Sequence, residues 1–103
     1  MKKNGVKIRM KFSIIQNKKE CYVCKTTYGL HFHHCIYGNA NRKLADEDGL
    51  TVWLCLEHHT GNKGVHFNKK LDLHLKETSE KRWCKFYNKT PEQFLKRYGR
   101  NYL

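Results

Sequence analysis

The sequence predicts one small α+β domain, stabilised by zinc, with an N-terminal strand and C-terminal helices. Three observations carry that prediction. Strand-like alternation in the first half of the chain gives way to helix-like spacing after His66. Cysteine and histidine pairs stand next to the strand-like runs, where turns are expected. A length of 103 residues allows a single domain with a modest core, the size at which a metal staple contributes most.

Residues 1–20 form a basic stretch holding the first element. Val6, Ile8, Met10, Phe12 and Ile14 alternate with Lys7, Arg9, Lys11 and Ser13, the pattern of a half-buried strand with a basic outer face. Residues 21–67 are the expected metal-clipped core. Cys21-x-x-Cys24 leads through a turn at Tyr28-Gly29 into a short strand over 30–36 (LHFHHCI). A polar loop over 38–49 has room for one helical turn. The run 50–54 (LTVWL) is rich in β-branched and aromatic residues and reads as a strong strand. Cys55-x-x-His58-His59 follows it directly, and 60–64 (TGNKG) is a turn. Trp53, Trp83 and Phe32 are expected in the core.

Residues 68–103 are expected to be helical, with the pattern starting at His66. Phe67, Leu71, Leu75, Trp83, Phe86 and Tyr87 can share much of one face, and Asn88 ends it. Thr90-Pro91-Glu92-Gln93 announces a second helix, with Thr90 as N-cap, Pro91 in the first turn and Gln93 reaching back as a capping box. Phe94, Leu95 and Tyr98 give it an apolar stripe, and Gly99 can terminate it.

Charge narrows the function. Twenty-one Lys and Arg against nine Asp and Glu give a net charge of +12 and a pI near 9.7. Such an excess repels itself and favours a polyanionic partner, with DNA the foremost expectation. The composition, 39% hydrophobic and 29% charged with one proline, excludes disordered and collagen-like classes. No apolar run approaches the roughly 20 residues needed to span a bilayer, and the basic N-terminus lacks a signal-peptide core, so no membrane partner and a cytoplasmic location are expected.

Five cysteines and seven histidines cluster tightly. An odd count without a secretion signal argues against a disulfide framework. Cys21, Cys24, Cys55 and His58 form two pairs with two-residue gaps, and such a gap lets one turn aim both side chains at one ion. Together they make a closed tetrahedral Cys3His structural zinc site. A redox dithiol at Cys21 and Cys24 would need a βαβ setting that the pattern lacks. Cys35 could replace His58 in the set, at the cost of breaking the pairing. Otherwise Cys35 and Cys84 are small core residues. His74, mid-helix beside Leu73 and Leu75, reads as a surface or packing histidine.

His31, His33, His34, His59 and His66 remain. Strand, loop, strand and helix with histidines at the corners is a ββα-metal pattern, and the set His33-His34, Leu54-Cys55-x-x-His58-His59 and Gly64-Val65-His66-Phe67 resembles the HNH (His-Me finger) endonucleases. Gly38-Asn39-Ala40-Asn41-Arg42-Lys43 and the final Tyr98-Gly99-Arg100-Asn101-Tyr102-Leu103 are similar to small phage and prophage proteins of that group, related to the phage recombination-enhancement nuclease. The resemblance runs from about Cys21 to the C-terminus.

The resemblance implies a metal-dependent endonuclease that hydrolyses DNA phosphodiester bonds. It would be phage- or prophage-encoded, act in the bacterial host in recombination or processing, and have a host or phage recombination protein as a further partner. It implies a second divalent cation (magnesium, manganese or zinc) held by His33, His59 and His66, with His34 as general base. A neutral imidazole suits that role at cytosolic pH. A shifted assignment makes His33 the base and His31 a ligand. Strand alternation bears on the choice, because His31 and His33 share a face while His34 points across. Asp48-Gly49-Leu50 stands where the family has its middle Asn, leaving Asn39 or Asn41 as candidates to steady the base. Arg42 and Lys43, and more weakly Lys63, are the expected phosphate contacts. The rival readings are a non-catalytic zinc module that binds nucleic acid, and a phage protein that binds a host protein.

Overall fold

The strand richest in β-formers, Thr51–Cys55 (β2), pairs antiparallel with Leu30–His34 (β1), placing His31 opposite Leu54, Phe32 opposite Trp53 and His33 opposite Val52. This is the structure of residues 11–103, described from a computed structural model. Between the strands lies α1 (Asn41–Asp48). After them come α2 (Leu56–His59), α3 (Lys69–Tyr87) and α4 (Pro91–Tyr98). The result is a small α+β fold built on a two-stranded sheet and helices. No helix among the described residues is long and apolar enough to cross a membrane.

The period of two decides what each sheet face does. Val52 and Leu54 are fully buried and join Ile36, Leu50, Leu75 and Phe94 in the core. Phe32 and Trp53 point the other way and are only half-buried, with ring centres 5.0 Å apart, so the expectation that both are core residues fails. That face is partly covered by chain that is not a strand. The expected strand lies outside the described residues over 6–10, and residues 11–14 carry no strand pairing. Side chains take the place of a backbone ladder there. Ser13 donates its hydroxyl to the Thr51 carbonyl, Thr51 donates its own to the Phe12 carbonyl, and the Trp53 N–H donates to Gln16. This segment also runs tight against the end of α1. A Cβ on Gly49, which has a left-handed φ of 77°, would stand 2.6 Å from the Phe12 ring.

The polar loop expected over 38–49 holds a two-turn helix instead of a single turn. Only Leu44 and Ala45 in α1 are apolar, so no periodic signal marks it; Gly49 closes it by donating its N–H to Ala45. Its last residue ties it to the rest of the fold. The Asp48 carboxylate, nearly buried, accepts from Trp83 Nε1 at 2.8 Å, Tyr98 OH at 2.6 Å, Arg97 Nε at 2.6 Å and Arg97 Nη2 at 2.9 Å. Tyr87 OH donates to its backbone carbonyl. The hydrogen bond to Asp48 raises the Arg97 pKa above its ordinary value, and burial, reinforced by Asp48, raises that of Tyr98. Asp48→Ala leaves the buried Trp83 Nε1–H and Tyr98 OH without their acceptor, and each orphaned donor costs about 1–3 kcal/mol. Urea unfolding of the variant should show that loss, with zinc content unchanged.

α3 begins at Lys69, not at His66, because the Asn68 side chain accepts from the Leu71 N–H and caps it. Phe67 is therefore outside the helix and 70% exposed, and Phe86 is 59% exposed, so neither belongs to the apolar face that buries Leu75 and Trp83. Asn88, with φ 54°, ends α3. α4 has the expected capping box between Thr90 and Gln93 and the glycine stop at Gly99. It buries Phe94 and Tyr98 and leaves Leu95 largely exposed. A second buried carboxylate, Glu80 on α3, accepts from Asn101 Nδ2 and from the backbone N–H groups of Tyr102 and Leu103, folding the end of the chain back onto the helix.

Candidate functional site

Cys21-x-x-Cys24 lies in a turn where the Lys25 N–H donates back to the Cys21 carbonyl, and Cys55 ends β2 one residue before α2 begins. The donor atoms of Cys21, Cys24, Cys55 and His58 all lie within 4.8 Å of one another. Cys24 Sγ stands 3.8 Å from Cys55 Sγ, while His58 Nδ1 stands 3.6 Å from Cys21 Sγ and 3.2 Å from Cys55 Sγ. Zinc with sulfur at about 2.3 Å and nitrogen at about 2.0 Å in a tetrahedron needs separations of about 3.8 Å between sulfurs and about 3.5 Å between sulfur and nitrogen. The residues fit, and this cluster could hold a structural zinc. Burial pushes the Cys21 thiol up, but hydrogen bonds from the backbone of Cys24, Cys55 and Val23 outweigh it and bring the pKa down to about 6, which favours the thiolate a metal requires. Cys35 stays apart. It is fully buried, and burial pushes its thiol up to about 12, as befits an inert core residue.

The second group of residues lies at the edge of β1. A cleft of about 260 Å³ is lined by Phe32, His33, His34, Tyr37, Arg42, His59 and His66. β1 supplies His33 and His34, α1 supplies Arg42, α2 supplies His59, and the loop after α2 supplies His66. That loop closes tightly, with the Val65 N–H donating to the His58 carbonyl, and Gly64 sits so close to α2 that a Cβ would come within 2.7 Å of the His59 backbone. His33, His59 and His66 surround one point, with ring centres 5.3, 6.1 and 5.2 Å apart in pairs. They stand wider than the Cys3His set, which among the described residues alone brings all its donor atoms within 4.8 Å.

Strand alternation sorts the β1 histidines. His31 and His33 turn toward α2. His31 Nδ1 meets His59 Nδ1 at 2.9 Å, one donating to the other, which ties up that nitrogen of His59 and leaves its Nε2 for the cleft. His33 is buried, and its Nε2 has no hydrogen-bond partner among the described residues. Burial, reinforced by His59 and His66, drives its pKa down to about 4, and burial with His31 and His66 lowers that of His59. Both are neutral at pH 7, the form that ligates metal. His34 points across, as alternation requires. Its Nε2–H donates to Asp46 Oδ1 at 3.0 Å, and its ring meets Phe32 edge-on at 5.6 Å. Tyr37 on the cleft wall donates its hydroxyl to Asp72, which also pairs with Lys76 at 2.7 Å.

The cleft thus gathers His33, His34, His59, His66 and Arg42. Lys43 is exposed on α1 outside its lining, and Lys63 lines a separate hollow with Val23, His58 and Lys70. Neither Asn39 nor Asn41 holds His34, and Asn41 donates to the Tyr98 carbonyl instead. Asp46 is the residue that the sequence did not reveal. It sits among three acids in four positions (ADED), and no spacing rule distinguishes the one that faces the strand. His74 is exposed and meets Tyr22 OH at 3.2 Å, in keeping with a surface role. No family model matches the chain, and no curated protein or solved structure matches it either.

Proposed function

We propose that this chain is a metal-dependent endonuclease of the HNH, ββα-metal type that hydrolyses phosphodiester bonds in DNA. The observation that carries the reading is the buried Nε2 of His33, unpartnered among the described residues, beside His59 and His66. An orphaned nitrogen among neutral imidazoles is costly unless something accepts its lone pair, and a divalent cation does. His33, His59 and His66 would hold such an ion, closing in from the wider spacing they have here, and a bond from His59 Nδ1–H to His31 would leave the His59 Nε2 lone pair for it. When bound, the cation would offset the charge that builds on the scissile phosphate and the leaving oxygen.

The remaining steps belong to the chain. Asp46 holds His34 through Nε2–H, so Nδ1 carries the free lone pair and takes the proton from the attacking water. Arg42 on the cleft rim positions the phosphate through its forked donors. Asp46 fills the steadying role that the family assigns to its middle Asn. The resemblance over HH, LCxxHH and GVH supports the same reading, and with it a phage or prophage setting and a task in DNA recombination or processing.

The test is cleavage of plasmid DNA by zinc-loaded protein, with and without added magnesium or manganese. Nicking or cutting that depends on the cation, with a second metal bound per chain, is expected. Bound DNA without cleavage under any cation, at one metal per chain, leaves the non-catalytic zinc module. Binding itself should weaken steeply with salt, because each phosphate neutralised contributes about −0.9 to the slope of log K against log salt. A slope flatter than about −2 contradicts an electrostatic interface at a charge of +12.

A further inference from the structure

The sheet face opposite the core carries an aromatic pair that is not fully covered by the described residues. Phe32 and Trp53 sit directly across from one another, half-buried, with ring centres 5.0 Å apart. Two exposed lysines stand over them. Lys19 Nζ is 4.6 Å from the centre of the Trp53 ring, and Lys11 Nζ is 5.3 Å from both rings. The platform is continuous with the cleft, since Phe32 lines it and touches the ring of His34 at 5.6 Å.

We infer that Phe32 and Trp53 form a stacking platform for unpaired bases of single-stranded DNA, with Lys11 and Lys19 taking the phosphates on either side. The inference rests on the DNA-binding part of the proposed function and deepens it by naming the form of DNA. The chemistry selects the occupant. In a duplex, base faces are covered by their neighbours, and only phosphates and groove edges are offered. An aromatic face therefore gains nothing from a duplex that charge alone would not give. An unpaired base has a free face, and aromatic platforms flanked by cations suit single strands with little regard to sequence. The ammonium groups over the rings show that the platform already attracts cationic neighbours. Both lysines are long and exposed, so each can swing to a phosphate while a base takes its place on the ring. A strand laid this way leads past His34 into the cleft.

The two tryptophans make the test direct. Trp83 is buried and hydrogen-bonded to Asp48, so a change in emission on adding oligonucleotide reports Trp53. Zinc-loaded protein without added divalent cation, titrated with an oligothymidine and with a blunt duplex of equal length, should show quenching by the single strand and little by the duplex. Trp53→Leu should weaken oligothymidine binding by about tenfold or more and duplex binding by less than about twofold, with Trp53→Phe close to the parent. Absence of quenching in the parent overturns the inference, whether or not the leucine variant folds. So does an equal loss for both DNA forms, which would make the face a purely electrostatic one. Because no cleavage is measured, a failure of the nuclease reading leaves this result standing, and the reverse also holds.

Discussion

Replacing His34 by alanine is expected to lower DNA cleavage by about 10²–10⁴-fold, the usual contribution of a proton-transfer residue. Fold and DNA binding should survive, because His34 is partly exposed and stands apart from the Cys3His cluster. His33→Ala should lose both cleavage and the second metal, since the atom removed is the buried nitrogen that has no partner among the described residues. The two variants are read together by single-turnover cleavage and metal analysis. If His34→Ala cuts at the parental rate while His33→Ala is inactive with its metal retained, the roles are shifted by one residue. Asp46→Asn should cause a smaller loss than His34→Ala, because an amide oxygen still accepts from Nε2–H but no longer stabilises the charged ring.

The second large effect concerns the thiolate cluster. Cys55→Ser should lose zinc and much of the cooperative melt, and chelation should do the same to the parent. Binding energy at a structural zinc is folding energy, about 10 kcal/mol or more in small zinc domains. Cys55 is where the effect should be greatest, because it ends β2 and starts the turn into α2, so an ion there would join strand, helix and the Cys21 turn at one point. Cys84→Ser, on α3 and outside the cluster, is the control and should melt like the parent. If Cys55→Ser and the parent in excess chelator both melt like the untreated parent, the cluster holds no structural ion.

What was legible in the sequence was local. The capping box of α4 and the β-branched run of β2 each depend on residues a few positions apart, and the Cys3His set pairs two such spacings. What stayed hidden depends on partners far along the chain. Asp48 meets groups 35 to 50 positions away, and Glu80 meets backbone 22 and 23 positions away; neither leaves a periodic trace, and an isolated acid reads as surface until its partners are placed. α1 escaped for the same reason, being a polar helix held by its ends. The fate of Phe32 and Trp53 shows the limit of composition, since large aromatics are usually core and only the pairing register reveals that this pair faces outward.

The Asp48 clasp also ties α4 to one wall of the cleft. α1 carries Arg42 and Asp46 on the way to its last residue, Asp48, and that residue is gripped by Arg97 and Tyr98 of α4. The last helix, which contributes no side chain to the cleft lining, therefore acts as a strut that sets how far the α1 wall leans toward β1. A substitution in α4 that loosens its grip would be felt first as play between His34 and its carboxylate, so drift in this distant segment would retune the proposed chemistry without touching any residue assigned to it.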